Sequence, residues 1–159
     1  MTSPFWNFSL AFYRLPEVAP ACLRCQDEAG ADVNLLLFVL WRASTGVLVE
    51  AAEVARLDAA VGPWRRQVVE PLRRVRREMK DMEASLDVSN SLRQRVKGVE
   101  LEAERLEQEA LFRAAGDAAS GAPSPGAAKA NLAAYAAATG ARLPSAAVGA
   151  LLDAFGTLH

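Results

Sequence analysis

Residues 32–44 read DVNLLLFVLWRAS, and this stretch decides the fold. Placed at about 100° per residue, its apolar side chains fall on every side, so a helix here has no face to offer water and belongs in the middle of a bundle. Asp32 supplies an N-cap oxygen for the otherwise unpaired N–H groups of the first turn, and Gly46 closes the helix. The longest apolar run, Val33 to Trp41, is broken only by Asn34. It falls far short of the roughly 18–20 residues that span a bilayer.

The rest of the chain suits such a centre. Of 159 residues, 32 are alanine and 20 leucine, whereas isoleucine is absent and threonine occurs four times. That is helix-forming hydrophobicity, poor in the β-branched residues that strands favour. Charged residues at 23% and a net charge of -1 do not describe a chain disordered throughout. The expected fold is all-α: a bundle of five to six main helices over residues 1–115, a flexible linker at 116–126 (GDAASGAPSPG), and two short alanine-rich helices at 127–159 docked on the bundle.

Upstream of the central helix, Ser3-Pro4 marks a helix start. Phe5, Phe8 and Phe12 form one stripe of that helix, and Trp6, Leu10 and Tyr13 a second. The next helix runs from about Pro16 to Glu28, with Val18, Ala21, Cys22 and Cys25 inward and Gly30 as its stop. Downstream, a fourth helix covers about Val49 to Ala60, and Gly62-Pro63 breaks the chain. The fifth, PWRRQVVEPLRRVRREMKDM, puts Trp64, Val68, Leu72, Val75, Met79 and Met82 on one face, the predicted anchor in the core. Arg66, Arg73, Arg77 and Lys80 lie opposite, with Arg65, Arg74 and Arg76 on the flanks, and Pro71 predicts a kink near Val69-Glu70. After a turn at Ser85–Asp87, a long helix reaches about Ala115. Its Leu92, Val96, Val99, Ala103, Leu106 and Ala110 are spaced 4-3-4-3-4, the seam of antiparallel helix packing.

Charge is segregated. Residues 61–80 hold seven basic and two acidic groups, and residues 99–117 two basic and six acidic. The basic strip of Arg66, Arg73, Arg74, Arg76, Arg77 and Lys80 is the first candidate contact surface. Such a strip can grip phosphate or nucleic acid. No aromatic side chains interleave it, however, and the acidic helix offers it partners inside the fold. Asp32, Asn34 and Arg42 are candidates for a polar pocket, since an amide at the start of a buried helix needs partners. Arg42, Gln26 or an arginine of the fifth helix could supply them.

Four stretches together, FWNFSLAFY, CLRCQDEAGADVNLLLFVLW, WRRQVVEPLRRVRREMK and VELEAERLEQ, resemble the proteobacterial family called domain of unknown function 2390. The resemblance covers about residues 4 to 113. It implies a helical cytoplasmic protein and brings no activity, cofactor or catalytic residue.

Most catalytic chemistry lacks its residues. The only histidine is His159, so serine–histidine and cysteine–histidine arrangements have no base. Glu100, Glu104 and Glu107 share a helix face, yet di-iron helices pair such glutamates with histidine. No phosphate-cradling glycine loop occurs. Cys22-Leu23-Arg24-Cys25 is a CxxC placed inside a helix rather than at its N-terminus, so both thiols read as small core residues. Metal and cofactor are not expected. A carboxylate enzyme built on Glu17, Asp27, Asp32 or Glu70 is the third reading. The MTSPFWNFSLAFYRL start lacks the basic region of a signal peptide, and two cysteines make no disulfide framework, so the expectation is cytoplasmic. The leading expectation is a non-enzymatic protein that binds another protein through the basic strip. Phosphate, nucleotide or RNA binding by the same arginines is second.

Overall fold

The computed structural model describes residues 2–116 and 120–159, which form helices throughout and no strand. In chain order these are α1 (Pro4–Tyr13), α2 (Val18–Ala29), α3 (Val33–Ser44), α4 (Ala51–Trp64), a π-helical turn (Arg65–Val69), α5 (Glu70–Leu86), α6 (Ser91–Ala115), α7 (Pro125–Thr139) and α8 (Ser145–Phe155). Among the described residues, no helix is long and apolar enough to cross a membrane.

The local signals act as read. The Ser3 hydroxyl accepts from the Trp6 N–H, with Pro4 in the first turn, and Asp32 accepts from the Asn34 N–H at 2.9 Å. Gly30 ends α2 with φ 65°, a left-handed conformation that costs glycine little. α3 is the axis of the bundle: every side chain from Asn34 to Trp41 is buried. Phe5 meets Phe38 edge-on at 5.5 Å, and Trp41 meets Phe112 at 5.6 Å.

Two expectations about the fifth helix change. Gly62-Pro63 does not break the chain, because α4 runs through it to Trp64. Proline removes one helical N–H, and the residue whose carbonyl loses that partner, Ala59, lies exposed where water can replace it. The irregularity expected from Pro71 takes the form of the π-helical turn, in which the Glu70 N–H reaches back to the Arg65 carbonyl. A wider turn makes room for the proline ring and adds one residue to the helix. The stretch beyond it is not anchored in the core. Val69 is buried, but no residue of α5 is, and Trp64, Val75 and Met82 are exposed. α5 packs chiefly on α6, with which it forms an antiparallel hairpin, so only one of its sides is covered.

The C-terminal helices belong to the core. α7 lies on α3 and α4 and buries Ala128, Asn131, Leu132 and Tyr135; α8 lies on α2 and buries Leu151 and Phe155. Of the expected linker, residues 117–119 lie outside the described residues. The part that follows is tied down: the Gly121 N–H donates to the Thr45 carbonyl at 3.1 Å and the Ser124 N–H to the Ala43 carbonyl at 3.0 Å. These bonds satisfy carbonyls at the end of α3. A Cβ on Gly121 would stand 2.5 Å from the Thr45 oxygen, so only glycine fits there. Asn131 completes the join. Its Nδ2 donates to the Val39 and Val47 carbonyls and its Oδ1 accepts from the Val49 N–H. Asn131→Ala should therefore lower the unfolding free energy by about 2–4 kcal/mol, since three buried backbone groups lose a partner. A loss below about 1 kcal/mol in a denaturant titration would show that α7 stands outside the cooperative unit.

Candidate functional site

The basic strip divides when folded. Arg73 turns inward: its Nη2 lies 3.2 Å from Glu104 Oε1 and its Nε 3.6 Å from Glu100 Oε1, with 18% of the side chain exposed. Arg76 grips Glu100 with two nitrogens. Arg77 reaches Asp27 on α2 at 3.3 Å, where both groups are half in water. Arg66, Arg74 and Lys80 are exposed and form no ion pair among the described residues. Arg73, expected to point away from the core, and Arg76 are thus neutralised by the acidic helix.

The polar knot behind them joins four segments. Asp32, already the cap of α3, accepts from Arg65 Nη1 at 2.8 Å, and its own N–H donates to the Tyr135 hydroxyl on α7 at 3.0 Å. Arg65 also holds Asp58 on α4 at 2.8 Å. Asn34 Nδ2 donates to Glu107 Oε2 on α6 at 3.1 Å, and Gln108 Nε2 donates to Asn34 Oδ1 at 2.9 Å. Glu107 is almost completely buried. Burial first, then the Asp32 carboxyl beside it, push its pKa far above the usual carboxylate range. Both effects favour the protonated acid, with the Asp32 carboxylate as its neighbour. Burial also raises Glu104, against the opposing pull of Arg73.

Asp32 and Asn34 therefore sit in one network, whereas Arg42 does not join them. Eight residues further along α3, its guanidinium lies 5.5 Å from the centre of the Trp41 ring. The residues that sequence reasoning missed are Arg65, Tyr135, Gln108 and Ser9. Arg65 was set on a flank because the π-helical turn shifts the register by one residue.

Next to this network, α1, α2, α3, α5 and α6 line a cavity of about 580 Å³ that opens to solvent on one side. Trp6, Leu10, Leu37 and Leu101 give it apolar walls; Ser9, Asn34 and Gln108 line it with buried polar groups; Arg73, Arg76, Arg77, Lys97, Glu100 and Glu104 supply its charge. The Ser9 hydroxyl and the Gln108 carbonyl oxygen are buried and have no hydrogen-bond partner among the described residues. The arrangement can hold a small molecule, but it offers no nucleophile with a base beside it. Cys22 and Cys25 are fully buried on the inner face of α2. Burial, then the neighbouring Cys25, push the Cys22 thiol up to about 12, the reverse of an activated thiolate. No cluster of metal-ligating side chains occurs among the described residues.

The Glu107 proton gives a pH test. A folded-state pKa raised above the unfolded value contributes stability that is fully present below the unfolded value and lost as pH rises through the folded one. Glutamine imitates the protonated acid, donating to Asp32 and accepting from Asn34. Glu107→Gln should match the wild type near pH 4 and be more stable by at least about 1 kcal/mol near pH 8. A variant less stable than the wild type at both values in urea titrations would mean that the fold uses an ionised Glu107.

No curated protein and no solved structure matches the chain. A family model does, over residues 4–111, which takes in α1 to α5, most of α6 and every residue that lines the cavity. The chain belongs to the family described as Protein of unknown function (DUF2390).

Proposed function

We propose that the protein is a non-enzymatic helical interaction protein of the bacterial cytoplasm, and that the outer face of its α5–α6 hairpin docks a second copy of the chain. One observation carries this reading: alternate residues of the α6 seam face outward, while Ala103 between them is buried. Of the residues spaced 4-3-4-3-4, Leu92, Val99 and Leu106 are 53%, 55% and 41% exposed, while Glu100 and Glu107, on another face, are buried. On α5, Val75, Met82 and Leu86 are exposed as well. Counted at about 100° per residue, the α5 line lies roughly half a turn from Arg73 and the α6 line roughly half a turn from Leu101 and Gln108, all three of which line the cavity. Both lines therefore lie on the side of the hairpin away from the cavity and make one apolar strip, the kind of surface that marks an interaction site.

The charges along the strip favour a second copy over a partner of one sign. Arg95 and Glu102 stand four residues before and three after Val99, on the same edge of α6. Glu102 is held in place by Arg105 at 2.6 Å. In an antiparallel crossing with Val99 near a two-fold axis, Arg95 of each copy meets Glu102 of the other, so the edge is complementary to itself. Two hairpins packed this way make a four-helix arrangement in which both apolar lines are covered. The cytoplasmic setting is supported by two buried thiols that form no disulfide.

Sedimentation velocity should show a dimer forming across a hundredfold range of concentration that ends in the high micromolar. Val99→Glu should hold the protein as a folded monomer over the whole range. Arg95→Glu should weaken the dimer at least tenfold, and adding Glu102→Arg should restore most of the loss. A wild type that stays monomeric throughout removes the second copy as occupant. A dimer indifferent to Val99→Glu places the contact elsewhere.

A further inference from the structure

We propose that the cavity between α1, α3 and α6 is a binding site for a small organic anion with an apolar body and an N–H or O–H donor at its buried end. It lies on the opposite side of the hairpin from the docking strip and is independent of it. Its volume of about 580 Å³ falls within the usual range of small-molecule sites.

The buried end is specified by two oxygens. Ser9 and Gln108 are 3% and 2% exposed, and both line the cavity. Neither the Ser9 hydroxyl nor the Gln108 Oε1 has a hydrogen-bond partner among the described residues. Buried oxygens are seldom left so. The Gln108 Nε2 donates to Asn34 Oδ1, and the Asn34 Nδ2 donates in turn to Glu107 Oε2, so the Gln108 oxygen is the end of the amide that this chain of bonds leaves over. What the amide offers the cavity is therefore an acceptor, which calls for a donor on the guest.

The body and the outer end follow from the walls and the rim. Trp6, Leu10, Leu37 and Leu101 give an apolar passage from the floor outward. Five cationic side chains line the cavity against two carboxylates. Those carboxylates, Glu100 and Glu104, are taken up by Arg73 and Arg76. Arg14 and Lys97 form no ion pair among the described residues, so the lining keeps an excess of positive charge. A cationic guest is disfavoured by that excess, and a bare inorganic anion would use neither the walls nor the two oxygens.

The probe is 8-anilinonaphthalene-1-sulfonate, which joins a sulfonate, a fused aromatic body and an N–H. N-phenyl-1-naphthylamine has the same scaffold without the sulfonate. Titrations of the full chain at low ionic strength, followed by fluorescence and by calorimetry, should give one sulfonate dye per chain, bound at least tenfold more tightly than the uncharged analogue. Gln108→Leu should weaken the dye at least tenfold and Lys97→Glu at least threefold. Ser9→Ala guards against a fold lost with Gln108→Leu. The Ser9 hydroxyl makes no hydrogen bond among the described residues, so the alanine variant should keep the near-ultraviolet circular dichroism of the wild type and still weaken the dye at least threefold. Val99→Glu separates the two faces: dye lost on Val99→Glu yet kept on Gln108→Leu has bound the outer strip, and the proposal fails. It fails equally if the folded Ser9→Ala and Lys97→Glu variants bind as the wild type does, or if the uncharged analogue binds as tightly as the sulfonate.

Discussion

The buried pair of Asp32 and Arg65 is the constraint on which the rest of the bundle depends. A carboxylate with 6% of its side chain exposed needs a cation and several donors to remain charged. Each partner that meets this need comes from a different part of the chain. The Asn34 N–H comes from α3, Arg65 from the turn after α4, the neighbouring Glu107 carboxyl from α6, and the Tyr135 hydroxyl, bonded to the Asp32 N–H, fixes α7 to the same point. The π-helical turn acquires a structural reason here. It absorbs Pro71 and lies where Arg65 is delivered to the knot. Replacing one partner alone would leave a buried charge uncompensated, which is why such a knot sets the relative positions of helices and not only their stability.

The sequence made much of this visible. The all-round apolarity of Val33–Trp41 marked the central helix, and Ser3, Asp32 and Gly30 marked ends that the backbone confirms. What escaped was anything that depends on a register change or on a partner far along the chain. A helical wheel assumes one rotation throughout, so a single added residue between Arg65 and Val69 moved Arg65 from a flank into the interior. The acidic helix offered the arginines partners inside the fold, and Glu100 does meet Arg76. The full burial of Glu107 escaped, because ionised glutamate avoids burial and nothing in the sequence brings Asp32 beside it. Of the six basic residues proposed as one surface, Arg73 and Arg76 are taken up within the fold, a division that charge counts cannot make. Asn131 gave no sign of its role, because the three backbone groups it satisfies come from residues more than eighty positions earlier.

The hairpin has two unlike sides. Towards the bundle it carries charge held in pairs, and away from it an apolar strip at heptad spacing. In most amphipathic helices the order is the reverse. The inversion is stable only because the inward charges are matched or neutralised, and it leaves the apolar side available to another surface.

The strap at residues 121–124 and the helices beyond it have a consequence for synthesis. The central helix is the most apolar element, yet part of its cover comes from α7, which begins some eighty residues after α3 ends. A ribosome adding about 5–20 residues per second leaves that flank open for roughly 4–16 s after the helix is made. During that interval LLLFVLW is shielded only by α1, α2 and whatever else has emerged. The nascent chain is thus an obligate client of its own C-terminus. Rare codons or a stalled ribosome between α6 and α7 would prolong the stage at which it is most prone to aggregate, even though the finished protein hides that helix completely.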